Sequence, residues 1–455
     1  MTRPDSLTGY DAPVLPAPPT FERRVFWQTT TARPAPRQPR PLPERADVVV
    51  VGGGYTGLTS ALQLARQGAR VALLERHDIG WGASSRNGGI VHGGLRRGRA
   101  WLQRRYGTDL GDRLHDAGGE AFFAAERFIA EEGFDCDYQR SGQLVLAWSR
   151  AHLRGLESEA RELAADGLTT RVLARQELRT EIGTDHYPGG LVIEESGGLN
   201  PARYVAALAD AAETAGVELH EQTEAQRLER HDGRLRVHTP RGSVEARDVI
   251  LGTNGYTDGF LPWLRQRVIP IGSYIIVTEP LPAEMAREIS PRGRMFFDSK
   301  NFLYYWRLTP DQRLMFGGRA SFVPTSVDRT AAILTDAMHR VHPQTRGLRV
   351  DYAWGGKVGF TFDRLPHMGE VGGVHYGLGC CGSGVAMLTY FGLLLGRKLA
   401  AGTETARERS PFEEIPHPGV PLVPALYEAV PLVLPLGGEL FRFQDWWGRH
   451  GPFAT

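Results

Sequence analysis

The chain has 455 residues, 41% of them apolar, enough for a large buried core and for two or three domains. Lysine plus arginine total 53 against 52 for aspartate plus glutamate, a formal charge of +1 that argues against a nucleic-acid binder and against a polybasic membrane patch. The three cysteines, Cys136, Cys380 and Cys381, are spaced for neither a disulfide framework nor a zinc site; no metal is expected, and their usage fits a reducing compartment.

Residues 1–45 are rich in proline and arginine and lack the apolar run of a signal peptide. They read as an extension lying over the surface or partly mobile. No stretch reaches the roughly 18 uninterrupted apolar residues of a membrane helix. Leu393 to Leu395 is closed by Gly396, Arg397 and Lys398. A cytoplasmic protein is the expectation.

Asp47 to Val51 reads as a strand buried on both faces. Leu58, Ala61, Leu62 and Ala65 follow at helical spacing, with Gly68 placed as a C-cap. Arg70 to Glu75 is the next strand, so the unit is strand–helix–strand with a right-handed crossover. Residues 120–132 and 151–166 read as helices, and 268–278, 302–308 and 313–319 as strands without α/β alternation. That alternation returns at 248–254 and 375–399. The predicted fold class is α/β (α+β overall), a Rossmann-like domain from 46–100, 196–265 and 350–405. A mixed-sheet substrate domain from 101–195 and 266–349 interrupts it. Residues 406–455 form a C-terminal extension. Its Val420–Trp447 stretch is expected to pack over the substrate domain, with a lid, a dimer contact or a membrane-surface patch as alternatives.

Gly52-Gly-Gly54-Tyr-Thr-Gly57 fits G-x-G-x-x-G and stands between a buried strand and a helix, with Glu75 at the end of the next strand. The first glycine permits the turn, the second lets backbone approach a pyrophosphate, and the third lets helix and strand pack. Glu75 is placed to bind a ribose diol. The small, polar Gly80–Gly89 run suggests backbone beside a cofactor larger than NAD. No second such loop follows a strand, so one dinucleotide binds and the substrate supplies the electrons.

These residues resemble the D-amino acid oxidase family of FAD-dependent oxidoreductases, and within it the γ-glutamylputrescine oxidoreductase branch. The resemblance runs from Ala46 to the end. It rests on Asp47–Gly57, Glu75-Arg76, Gly82–Gly89, Val249–Tyr256, Pro270–Pro280, Tyr305–Pro310 with Arg313–Gly318, Trp354–Gly356, Asp363–Pro366 and Gly379–Gly384. It implies FAD and oxidation of a small amine or amino acid, with a γ-glutamylated polyamine among the options. Hydride passes to flavin N5, and the resulting imine hydrolyses to a carbonyl compound. It also implies the cofactor contacts. Gly52, Gly54, Tyr55, Thr56, Gly57, Glu75 and Arg76 serve the pyrophosphate and ribose, with Ala225 at the adenine and Thr253 and Asn254 alongside. Gly82, Ser84, Arg86, Asn87, Gly88 and Gly89 run along the ribityl chain and ring. Gly382, Ser383, Gly384 and Val385 open a helix aimed at the flavin, where its dipole favours negative charge.

Two departures stand out. Sarcosine oxidase-like relatives carry a flavin-linked cysteine shortly after the position of Trp354; Gly355–Gly359 has none, so FAD is expected to be non-covalent. Met315 stands where those relatives place the lysine that serves oxygen, so oxygen and another electron acceptor both stay open. For the substrate, Tyr274, Tyr305, Trp306 and Trp354 are candidate aromatic walls, against a plain core role. Arg307 is a candidate partner for a substrate carboxylate, against an interdomain salt bridge. His92 either faces the ring or is structural, and Cys380 and Cys381 are packing residues. The partners expected are a small amine, an electron acceptor and, for assembly, a second copy in a homodimer. The competing function is an FAD-binding module that turns nothing over.

Overall fold

The structure is a computed structural model that describes residues 21–31, 37, 39–318, 325–400, 409–419 and 443–449. The four valines Val48–Val51 are all buried, as a strand covered on both faces requires. They lie inside a six-stranded sheet with the order His367–Val371, Val374–Leu378, Asp248–Leu251, Val48–Val51, Val71–Leu74 and Glu218–His220. Val48 pairs in parallel register with both Asp248 and Val71. Only His367–Val371 runs antiparallel. Alternation splits the valines: Val48 and Val50 pack under the helices Tyr55–Arg66, Thr108–Glu131, Pro201–Thr214 and Gly384–Ala400. Val49 and Val51 face a three-stranded sheet through Leu235, Val237 and Val244. The first crossover helix, Tyr55–Arg66, is closed by Gln67 and then Gly68, whose φ of +83° suits glycine.

The second sheet has eight strands, in the order Val350–Phe360, Ile269–Pro280, Arg313–Gly318, Tyr304–Leu308, Met295–Asp298, Gln143–Leu146, Gly189–Ile193 and Thr170–Ala174. It is mixed, because Met295–Asp298 runs parallel to Gln143–Leu146 and the other pairs are antiparallel. Trp306 is fully buried in its core, stacked on Phe296 and Phe316 with ring centroids 5.6 and 5.3 Å away. The helix Val327–Val341 covers that core through Leu334 and Met338.

The chain departs from the sequence reading in three places. Val350–Phe360 hydrogen-bonds along Ile269–Pro280 in the second sheet, so the return to the first sheet comes after Phe360 and not at residue 350. Residues 101–131, expected in the substrate domain, pack on the first sheet, with Leu114, Phe122 and Phe128 in the same core as Val48. Their helix starts at Thr108 rather than near 120. The glycines that obscured it are demanded by contact: a Cβ on Gly118 would sit 2.6 Å from Leu95 Cγ, and one on Gly111 2.5 Å from the Gln103 amide nitrogen. Residues 21–31, expected over the surface, are partly interior, with a 3₁₀ turn at Phe26–Thr29 and Val25, Phe26 and Trp27 buried.

Residues 1–20, 32–36 and 38 of the N-terminal extension, and most of Val420–Trp447, lie outside the described residues. In the described part of the C-terminal extension, the Asp445 carboxylate accepts from the Asn301 and Phe302 amides at 2.9 and 3.1 Å. Among the described residues, no helix is long and apolar enough to cross a membrane.

Candidate active site

The turn after Val51 is built for close backbone approach. Gly52 has φ +106°, a region that L side chains rarely enter. A Cβ on Gly54 would lie 2.8 Å from Ser84 Oγ. The helix Tyr55–Arg66 therefore leaves the strand directly and aims its N-terminus into a trench lined by Gly52–Thr56, Glu75, Arg76, Gly80–Ser84, Ala225, Gly252–Asn254 and Tyr256–Asp258. Glu75 is held in place there. One carboxylate oxygen accepts from the Gly53 amide at 2.8 Å and the other from the His77 amide at 2.9 Å. Arg76 pairs with Glu224 and Asp258 at 3.0 and 2.8 Å, so its charge is already matched. Asn254, at φ +42°, accepts from the Gly379 amide at 2.9 Å and so ties two strand ends together. A narrow glycine floor, a helix N-terminus and an acid at a strand end fit a dinucleotide.

The trench continues into a cavity of about 730 Å³ between the two sheets; Tyr55, Ala83, Ser84, Asn254 and Leu388 line both. Ala83–Arg86 form one helical turn at the junction. Tyr55 donates its hydroxyl to the Ser84 carbonyl at 2.6 Å, and Ser84 Oγ accepts from the Tyr55 amide at 3.2 Å. The Asn87 side chain donates to Tyr55 Oη at 3.1 Å and accepts from the Gly89 amide at 2.7 Å. Arg86 donates to the Trp81 carbonyl at 2.7 Å, and burial lowers its pKa. Gly88 faces Tyr305: a Cβ there would be 3.0 Å from that ring.

The cavity walls come from both domains. Gly88, His92, Arg96 and Gly382–Val385 line it on one side; Ser273, Phe297 and Tyr305 line it on the other. Ser273 Oγ and Tyr305 Oη share a hydrogen bond of 3.0 Å. His92 meets Phe297 edge to face at 5.4 Å and contacts the Gly93 carbonyl through Nδ1 at 3.1 Å. Burial, reinforced by the Arg96 charge, pulls its pKa down to about 4, so the ring is neutral at pH 7. Arg96 Nε donates to the Cys381 carbonyl at 3.0 Å, and its guanidinium lies against Gly382, where a Cβ would meet Nη2 at 2.7 Å. Among the described residues Arg96 makes no ion pair. Glu159 and Glu162 line the cavity as well.

Gly52, Gly54, Tyr55, Thr56, Glu75, Arg76, Gly82, Ser84, Ala225, Thr253 and Asn254 line the trench. Arg86, Asn87, Gly88, Gly382, Ser383, Gly384 and Val385 line the cavity. Gly57 and Gly89 sit behind these walls, against the Gly52 and Leu199 carbonyls. Trp306 lies in the core of the second sheet, and of the five substrate candidates only Tyr305 reaches the cavity. Arg307 does not: it is buried, donates to the Leu199 carbonyl at 2.6 Å and lies 4.9 Å over the Trp27 ring. Burial lowers its pKa to about 10. Trp354 packs beside Trp27 and donates to the Arg86 carbonyl at 2.8 Å. Tyr274 reaches the Thr325 carbonyl at 3.3 Å, on the far side of the sheet from Ser273.

Arg96 was missed because the run Arg96-Arg97-Gly98-Arg99 reads as a solvated face. Its place four residues after His92, just past a short strand that ends on the cavity, was the available signal. Met315 is fully buried, near Gly88. Cys380 and Cys381 are buried, and burial pushes the Cys381 thiol up to about 11.

Comparison with known proteins agrees with this geometry. A family model described as DAO, FAD dependent oxidoreductase, matches residues 47–397. The gamma-glutamylputrescine oxidoreductase of Escherichia coli K12 is 32% identical over 380 residues, covering 82% of this chain and 88% of that protein. The probable oxidoreductase OrdL of Haemophilus influenzae is 32% identical over 385 residues, covering 83% and 87%. The solved glycine oxidase of Geobacillus kaustophilus shares the fold with a TM-score of 0.69 at 21% identity, covering 83% of this chain and all of that one. The L-proline dehydrogenase of P. horikoshii has a TM-score of 0.66 at 19% identity, covering 80% and 96%.

Proposed function

This chain belongs to the DAO family of FAD-dependent oxidoreductases, and from that premise we propose that it oxidises a C–H bond next to nitrogen in a small amine or amino acid. The observation that carries this is the cavity joined to the dinucleotide trench, whose lining includes an uncharged His92 and Arg96, which makes no ion pair among the described residues. Bound there, FAD supplies the acceptor for the two electrons and the hydrogen of that bond. The imine left behind takes up water and splits into a carbonyl compound and an amine or ammonia.

The chain's own groups orient the substrate. Arg96 suits a carboxylate, since a guanidinium offers two parallel donors. Tyr305 and Phe297 offer aromatic surface to the carbon chain. Neutral His92 adds no positive charge that would repel a cationic amine entering the site. The start of Gly384–Ala400 turns the positive end of its dipole toward the cavity, which favours negative charge there. Glu159 suits an ammonium group, so a substrate with an acid and a second amine fits this lining. A relative acting on γ-glutamylputrescine is consistent with that shape of molecule.

Met315 favours a second reading for the electron acceptor. An apolar side chain replaces the lysine of oxygen-using relatives, so electrons pass to an acceptor other than oxygen. The test is anaerobic addition of a panel of amines, with and without carboxylates, to the yellow protein. Bleaching of the flavin band supports the amine reading. An unchanged spectrum across the panel would leave an FAD-binding module that turns nothing over. Reoxidation by air compared with a quinone or dye then separates the acceptors.

A further inference from the structure

We propose that Phe21–Thr31 is a latch that holds the Ser84–Gly89 stretch in its cofactor-receiving shape, with Trp27 as the positioning residue. The segment precedes residues 47–397 matched by the family model. The inference rests on the FAD cofactor alone and stands whatever the substrate is.

Trp27 is fully buried, and its indole Nε1 donates to the Asn87 carbonyl at 2.9 Å. The next side chain, Gln28, donates to Ser85 Oγ at 3.1 Å. Two consecutive residues therefore grip the stretch from behind. The rest of the segment is fixed to the second sheet. The Glu22 amide donates to the Asp351 carbonyl at 2.8 Å, and the Ala353 amide donates to the Glu22 carbonyl at 3.1 Å. Arg307 lies over the Trp27 ring, and Phe26 meets the Tyr352 ring at 5.4 Å.

The grip matters because of what Asn87 does. Ala83–Arg86 is a single turn, too short to hold its own shape in water. Asn87 joins that turn to Tyr55 on one side and to the Gly89 amide on the other. Its carbonyl, turned away from the cavity, needs a donor when buried, and Trp27 supplies it. Loss of that donor frees the peptide whose side chain sets both neighbours.

The experiment uses the full-length protein, stripped of flavin and titrated with FAD by fluorescence quenching. Trp27→Phe keeps an aromatic ring and removes the N–H. It is expected to weaken FAD binding about 2- to 10-fold, the effect of one hydrogen bond, and to alter the visible circular dichroism of bound flavin. Gln28→Ala is expected to act in the same direction, which keeps the test valid should Trp27→Phe fold poorly. Arg179→Ala, outside the segment, removes only exposed pairs with Asp185 and Glu288 and is expected to bind FAD like the parent. FAD affinity unchanged in Trp27→Phe or Gln28→Ala, with a lowered unfolding midpoint of the apoprotein, would overturn the latch and leave a purely structural segment. So would an equal loss in Arg179→Ala.

Discussion

A methyl group on Gly57 would sit 2.0 Å from the carbonyl oxygen of Gly52, well inside contact distance. The closest approach in the cofactor turn is thus between backbone atoms, which cannot swing aside. Gly57→Ala is expected to force the helix off the strand, cost about 1–3 kcal/mol or more, and give protein with little bound FAD. The ratio of flavin to protein absorbance after purification, read with the unfolding midpoint, checks it.

Glu75 holds two backbone amides and faces the trench, so Glu75→Ala is expected to weaken FAD binding roughly ten- to a hundredfold, for a loss of about 1.5–3 kcal/mol. Glu75→Gln keeps one acceptor oxygen and is expected to lie between. Equilibrium dialysis against FAD decides; equal occupancy in all three proteins would make Glu75 a turn-bracing residue only.

Arg96 lines the cavity, whereas Arg307, the arginine that the sequence suggests for a substrate carboxylate, is turned to the Leu199 carbonyl. Arg96→Met is expected to raise KM for carboxylate-bearing amines about ten- to a hundredfold and to leave carboxylate-free amines largely unaffected. Lysine is expected to rescue poorly. Arg307→Met is expected to show no such discrimination. It strands the Leu199 carbonyl and lowers stability by about 1–3 kcal/mol. Steady-state kinetics on both substrate groups, together with denaturant midpoints, separate the two residues.

His92 gives a pH signature. Its pKa in the folded protein, about 4, lies below its ordinary value of 6.5. As pH falls from about 6.5 to about 4, the unfolded chain takes a proton that the folded site refuses. Stability is therefore lost through that window, at about 1.4 kcal/mol per pH unit for this group. His342, lowered to about 4 by burial, adds to the slope. Unfolding midpoints measured from pH 7 to 4 are expected to fall less steeply in His92→Asn; an identical slope would place His92 in water.

FAD is expected to leave with acid or heat. The three cysteines are buried, and none lies in Gly355–Gly359. Denatured, centrifuged protein is expected to yield a colourless pellet and a yellow supernatant. Flavin that stays with the chain would overturn non-covalent binding.

The cofactor half of the site was legible because its signal is local. Strand, turn and helix follow one another from Val48 to Arg66, and Gly57 answers a contact with Gly52 inside that stretch. The substrate half was not. Tyr305 and Arg307 share a face of one strand, so alternation sends both toward the cavity. Only Tyr305 arrives, because Trp27 and the Leu199 carbonyl, far away in sequence, cover Arg307. No periodicity in the strand encodes that cover. The helix Thr108–Glu131 was misread for a related reason: its glycines weaken helix propensity, and the partner that requires one of them, Leu95, lies outside the helix.

The strand order of the first sheet also bears on how the protein is made. Val48–Val51 is flanked by Val71–Leu74, which follows at once, and by Asp248–Leu251, which leaves the ribosome roughly 10–40 s later at about 5–20 residues per second. Through that interval the valine strand has one bare edge on the nascent chain, an open invitation to pair with a neighbouring polypeptide. A chaperone that shields hydrophobic strands at the ribosome should raise the soluble yield more than any change to the finished surface.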